Sequence, residues 1–215
     1  AGPNTTWSAG DNFVSATDAD GKALSLTDLK VSGSVDPTKA GRYEVTYSYT
    51  DAAGNAVTKT ATITVVASQA TIDTKDSTLM AGPKTKWSAG DNFVSATDAD
   101  GKALSLTDLK VSGSVDPTKA GRYEVTYSYT DAAGNVISKT ATITVVASKA
   151  AIDTKDSTLV AGPNTTWSAG DNFVSATDAD GKALSLTDLK VSGSVDPTKA
   201  GRYEVTYSYT DAAGN

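Results

Sequence analysis

The sequence predicts an all-β chain of tandem β-sandwich domains, and three observations carry that prediction. One unit of 80 residues recurs along a chain of 215. Within each unit, short segments alternate apolar and polar residues with a period of two, the mark of half-buried strands. Turn residues punctuate these segments about every 8–12 positions, and no segment sustains a helical period.

The stretch from Ala1 to Asn55 recurs from Ala81 and from Ala161. The first and third copies are identical over it, and the second differs only in Lys84 for Asn4 and Lys86 for Thr6. Fixed-period self-similarity marks an array, and a period longer than the roughly 20–50 residues of solenoids leaves room for a small core in each unit.

Each element can be justified in order from the second copy. Ala70–Asp73 and Ser77–Met80 read as opening strands, and Asn92–Thr97 as a third. Asp98–Lys102 is a turn, Leu109–Val115 a further strand with a bulge expected at Gly113, and Asp116–Gly121 another turn. Arg122–Asp131 alternates strictly: Tyr123, Val125, Tyr127 and Tyr129 share one face, with Glu124, Thr126 and Ser128 on the other. Ala132–Asn135 turns the chain, and Thr140–Val146 closes a hairpin with Ala141, Ile143 and Val145 inward. Domain boundaries are therefore expected near Ser68 and Ser148. Residues 69–148 form one complete domain, 1–68 lack an opening strand and 149–215 lack a closing one. Unpaired edges invite strand addition, so head-to-tail contacts between chains are expected at these two ends.

Val136–Val160 contains neither glycine nor proline, unlike flexible Gly/Ser-rich tethers. Short, stiff junctions predict an elongated rod in which each domain spans on the order of 35–40 Å at about 3.3 Å per strand residue.

Composition excludes several classes of function. The net charge is −6, and the 9 basic and 9 acidic residues of 81–160 leave the middle unit neutral. Without a basic stripe to displace counterions, nucleic acid is not an expected partner. No stretch approaches the roughly 18 apolar residues of a membrane helix. With no cysteine and no histidine there is no Ser–His–Asp triad, no thiol chemistry and no usual zinc site. Neither catalytic residues nor a cofactor are expected.

Three candidates remain. Asp98 and Asp100, with Gly101, resemble half of a calcium loop, although position 12 from Asp98 is Leu109 where such a loop carries Glu. The competing reading is a turn whose Asp side chain bonds local backbone N–H groups. Trp87, the single tryptophan of its unit, could stack on a sugar ring, but packing in or beside the core is the stronger expectation. Lys139 and Asn135 have the residue types of a Lys–Asn isopeptide bond, yet lie on one hairpin, a poor geometry for linking distant strands.

Gly113–Val145 resembles the C-terminal half of bacterial immunoglobulin-like domains of the group 3 type. The motifs are the Val115–Asp116 turn, Gly121-x-Tyr123-x-Val125-x-Tyr127, Asp131-x-x-Gly134-Asn135 and the closing Ile143-Thr144-Val145, with Ala96–Gly101 fitting upstream. The resemblance implies an immunoglobulin-like sandwich of the kind found in surface adhesins and secreted enzymes of Gram-positive bacteria. It implies an extracellular or cell-wall location, with wall attachment through the parent protein, and no catalytic residues. On this reading the repeats are stalk or spacer elements projecting a distal binding region. The alternatives are weak glycan- or host-protein-binding repeats acting by avidity, or accessory repeats of a secreted carbohydrate-active enzyme.

Overall fold

The alternating segments become strands, at full length where both neighbours are present and shortened where one is missing. The computed structural model describes residues 1–215. The first copy holds β1 (Ala16–Thr17), β2 (Ala23–Leu24), β3 (Lys30–Ser32), β4 (Gly41–Thr50) and β5 (Ala56–Val65). The second holds β6 (Thr71–Thr74), β7 (Ser77–Met80), β8 (Phe93–Thr97), β9 (Ala103–Leu104), β10 (Lys110–Ser112), β11 (Gly121–Thr130) and β12 (Val136–Val146). The third holds β13 (Ala151–Thr154), β14 (Phe173–Thr177), β15 (Ala183–Leu184), β16 (Lys190–Ser192) and β17 (Thr206–Ser208). Only short 3₁₀ turns, such as Ala89–Asp91 and Leu106–Asp108, interrupt this all-β pattern.

The strands pair as β1-β2, β3-β4-β5, β6-β8-β9, β10-β11-β12-β7, β13-β14-β15 and β16-β17. Neighbours within the repeat pair antiparallel, except that β7 runs parallel to β12, with Ser77 opposite Ile143 and Met80 opposite Val146. The expected strand Leu109–Val115 is shorter than its alternation suggested. Its conformation breaks at Gly113, which takes φ +99°. A Cβ there would lie 2.4 Å from the Glu124 carbonyl oxygen, so only glycine lets the two backbones approach.

The chain divides into two compact units, Ala1–Thr74 with Phe93–Val111 and Tyr127–Lys139, and Lys75–Asn92 with Ser112–Thr126 and Thr140–Asn215. In the first, Val45, Tyr47, Ile72, Ala96 and Tyr127 are buried. Phe13 packs against Tyr47 at 6.3 Å between ring centroids, and Phe93 against Tyr127 at 6.4 Å. The Tyr47 hydroxyl donates to the Ala9 carbonyl at 2.7 Å, which satisfies the one polar atom its ring carries inward. In the second unit, Val125, Ala141, Ile143 and Val145 form the core, as the alternation of their strands predicts. Tyr207 repeats the role of Tyr47, donating to the Ala169 carbonyl at 2.7 Å.

The second unit also buries a polar hub. Asn92 is completely buried. Its Oδ1 accepts the Trp87 indole N–H at 2.7 Å, and its Nδ2 donates to the Lys75 carbonyl at 2.7 Å and to Ser77 Oγ at 3.0 Å. Its own carbonyl accepts the Lys75 N–H at 3.0 Å. These bonds hold the connection at Lys75–Asp76 between β6 and β7. Asn172 makes the same set with Trp167, Lys155 and Ser157. In the first copy Asn12 is exposed, and its side chain keeps only the bond from Trp7.

Replacing Asn92 with alanine leaves the half-buried Trp87 indole N–H and the Lys75 carbonyl without their shared partner. The expected loss is about 1–3 kcal/mol of stability, read as a shift in the urea midpoint of the middle copy. Asn12→Ala, at an exposed site, should cost clearly less in the same assay.

Candidate functional site

The most elaborated polar site in each unit is a junction between successive repeats. Its first half is the turn Asp131–Asn135. Asp131 N–H donates to the Asn135 carbonyl at 3.0 Å, and Gly134 N–H to the Asp131 carbonyl at 3.0 Å. Asp131 Oδ1 accepts the Asn135 N–H at 2.9 Å, while its Oδ2 accepts the Asn135 side-chain amide at 2.9 Å. Gly134 closes the turn at φ +82°, which non-glycine residues rarely adopt.

The second half is the loop that opens the preceding copy, Ala1–Asn4. The Asn135 amide reaches across to the Ala1 carbonyl at 2.8 Å, and the Asn4 N–H donates to the Ala133 carbonyl at 2.8 Å. The second unit repeats the arrangement. Asn215 Nδ2 donates to the Ala81 carbonyl at 2.7 Å, and the Lys84 N–H to the Ala213 carbonyl at 2.9 Å. Ala81 in turn donates its N–H to the Val146 carbonyl at 2.7 Å, so one residue joins the end of β12 to the following turn.

Glycine makes this contact possible. A Cβ on Gly2 would lie 2.4 Å from the Ala133 carbonyl oxygen, and one on Gly82 equally close to that of Ala213. The third copy provides a control: Gly162, with no turn docked on it, has only Thr165 Oγ1 nearby, at 3.7 Å. Gly54, whose turn receives no loop, faces open space, whereas a Cβ on Gly134 would meet the Asn4 amide at 2.7 Å.

The linker supplies the remaining contacts. The Ser68 hydroxyl bonds the Asp131 carboxylate, and Ser148 Oγ donates to Asp211 Oδ2 at 2.8 Å. Gln69 donates its N–H to the Ala99 carbonyl at 2.9 Å and accepts from Thr97 Oγ1 at 2.9 Å. Lys149 does the same with Ala179 and Thr177, at 2.9 and 2.8 Å. The linker backbone is thus held on the next repeat through both of its polar groups.

These contacts bury Asp131 and Asp211 to 4 % and 5 % exposure, while Asp51, in a chemically identical turn, stays half-exposed. The Asn135 amide, helped by the Ser68 hydroxyl, holds the Asp131 carboxyl below the ordinary aspartate value of 3.8. The Asn215 amide and the Ser148 hydroxyl do the same for Asp211, against an opposing effect of burial.

Asp98 Oδ1 accepts the N–H groups of Asp100 and Lys102 at 3.0 and 2.9 Å, and Gly101 N–H donates to the Asp98 carbonyl at 3.0 Å. This is the local turn bonding that competed with the calcium reading, and Asp100 projects from it exposed. Trp87 is half-buried with its N–H committed to Asn92. Asn135 uses its amide on Asp131 and Ala1.

Sequence reasoning passed over the loop at Ala1, the linker serines and the reach of Asn135. The available signal was Asp-Ala-Ala-Gly-Asn facing Ala-Gly-Pro at constant spacing. Of the two substitutions of the middle copy, Lys84 falls on this loop and Lys86 lies two residues beyond it. Lys84 keeps the backbone bond of Asn4 and lays its aliphatic stem over Gly214, as a Cβ there would find Lys84 Cγ at 2.8 Å. Nothing in the structure explains Lys86.

Residues 5–65, 72–145 and 152–215 each match the family described as bacterial Ig-like domain (group 3). The chain is 30 % identical over 210 residues to pesticidal crystal protein Cry22Aa of Bacillus thuringiensis, covering 94 % of this chain and 28 % of that protein. It is 30 % identical over 213 residues to hyalin of Strongylocentrotus purpuratus, covering 93 % of this chain and 17 % of hyalin. It therefore spans less than a third of either relative. A solved structure of the Clostridium perfringens ZmpB M60 catalytic domain with two CBM51 domains matches at 14 % identity and a TM-score of 0.29, over 83 % of this chain and 34 % of that one.

Gly134→Ala should open the first junction, whereas Gly54→Ala strains only its own turn. The difference is expected as faster amide exchange at Asn4 in the first variant alone. Acid should loosen both junctions. Because the folded carboxyl values of Asp131 and Asp211 are depressed, their stabilisation is complete above 3.8 and is lost as pH falls through the folded values. Thermal unfolding against pH should show that fall below 3.8, and Asp131→Asn should flatten it.

Proposed function

Because the chain belongs to the bacterial Ig-like domain (group 3) family, we propose that its repeats are non-catalytic spacers that project another part of a surface protein away from the cell wall. Domains of this family are typical of extracellular and surface proteins. No helix is long and apolar enough to cross a membrane. The observation that carries the reading is the junction. In each unit the same Asn amide, Gly contact and linker serine set the step from one repeat to the next. A spacer depends on a fixed step from one repeat to the next to keep its reach.

The chemistry of the junction suits an array of variable length. Its bonds run mainly to backbone carbonyls, so any copy of the loop accepts any copy of the turn, and adding a repeat requires no new pair of complementary side chains. The replacement of Asn4 by Lys84 with retention of the bond to the turn supports this. Two tetherings per step, loop on turn and linker on the next repeat, restrict bending more than a covalent tether does alone.

Small-angle scattering on arrays of increasing copy number tests the reading. Each added repeat should lengthen the maximum dimension by about 35–40 Å. Asn135→Ala should broaden the distribution of dimensions without unfolding any repeat. Compact growth of the particle, or saturable binding to a glycan array that is lost on replacing Trp87 and its equivalents, would overturn it.

A further inference from the structure

Within the second unit, β7 and β12, the second and the last strands of the middle repeat, are hydrogen-bonded to each other in parallel. Residues Ser77–Met80 of β7 lie opposite Ile143–Val146 of β12. The ladder is extended at both ends. Below it, Asp76 Oδ1 accepts the Thr142 N–H at 2.8 Å; above it, the Ala81 N–H donates to the Val146 carbonyl at 2.7 Å. The start of β7 is held by the buried Asn92, through Lys75 and Ser77. The far end of the ladder continues into the junction through the Ala81 carbonyl, which accepts from Asn215.

The direction of these strands matters when a chain is pulled. Past β6, which pairs with β8 in a separate sheet, the chain reaches this ladder at the beginning of β7, and it leaves the ladder from the end of β12. With the strands parallel, those two points lie at opposite ends of the ladder. Tension between them slides one strand along the other and strains all the rungs together. An antiparallel hairpin such as β4–β5, opened at its free ends, yields one rung at a time.

We propose that the β7–β12 ladder is a shear clamp, and that resisting tension is a function of the repeat in its own right. The role deepens the spacer reading and rests on it, since only a tethered spacer feels such tension. β7 exists as a strand only through this pairing. Ser157–Leu159 of the third copy match Ser77–Leu79 in sequence, have no counterpart of β12 beside them, and form no strand. Asn172 holds Ser157 as Asn92 holds Ser77, so that hub alone is not enough to make the strand. The rungs supply the remainder.

The N–H of Thr142 points toward β7, and with a period of two so does that of Thr144. Thr144→Pro removes one rung, and its side chain lies outside the buried set of Ala141, Ile143 and Val145. The internal control is Thr64→Pro, the same position in β5. There the sheet order β3-β4-β5 leaves that edge without a partner strand.

The test holds the whole chain by its two ends at constant force and reads the lifetime of the middle repeat. Loss of one rung should shorten that lifetime roughly 5-fold or more. Thr64→Pro should leave it unchanged. Asp76→Ala, which removes an acceptor without touching the backbone, guards against a proline that simply unfolds the repeat and should also shorten it. Denaturant unfolding without load supplies the reference: a lifetime under force that falls further than the unloaded one supports the clamp. An unchanged lifetime in Thr144→Pro and Asp76→Ala, or equal losses with and without force, would overturn it. Arrays that lengthen with copy number but show no clamp would retain the spacer and lose only this inference.

Discussion

A strand must spend its backbone N–H and C=O groups on a neighbour, and that requirement governs the structure more than any side chain does. The sequence Gly-Arg-Tyr-Glu-Val-Thr-Tyr-Ser-Tyr-Thr occurs three times without change. With neighbours on both sides it forms the 10 residues of β4 and the 10 of β11; with β16 alone beside it, it contracts to the 3 of β17. Phe-Val-Ser-Ala-Thr behaves in the same way. It forms 5-residue strands where β6 or β13 lies alongside, and only β1, 2 residues long, where neither does. Side-chain burial supplies the drive to collapse, but the length of a strand is set by what can pair with it.

The same economy explains how repeats join. An 80-residue unit buries little apolar surface of its own, and a large hydrophobic interface would have to be built from residues its core needs. The junction relies instead on three inexpensive features: a glycine that lets two backbones touch, an asparagine that serves its own turn and its neighbour at once, and a serine on the linker. None requires a matched partner side chain. The buried aspartate at its centre is fully supplied with donors, which keeps a charge tolerable where water is excluded. Asp51 shows the same turn formed without the junction, so the turn is prior to the contact and ready to receive it.

Much of the site's chemistry was legible in the residues. Asp131 through Asn135 read as a turn and Asp98 through Lys102 as another, and both turns form. Trp87 was expected to pack, and its indole is drawn to Asn92, five residues on. What escaped was the reach of Asn135 to Ala1, over 134 residues of sequence, because an asparagine that closes a turn gives no sign of a second acceptor. The strand Leu109–Val115 was overextended for a related reason: alternation continued past Gly113, but the close approach of Glu124 that needs a bare backbone there is a tertiary fact.

By itself the sequence determined the features that depend on neighbours in the chain: the period of the array, the faces of each strand, the positions of the turns and the need for glycine at positive φ. Alternation and turn chemistry are local, so identical copies carry them identically. Only the tertiary structure decided which of those segments became long strands, that β7 exists and lies parallel to β12, and that two of three identical aspartates are buried. Those outcomes depend on what lies across a sheet or a junction, and identical residues take different states when their partners differ.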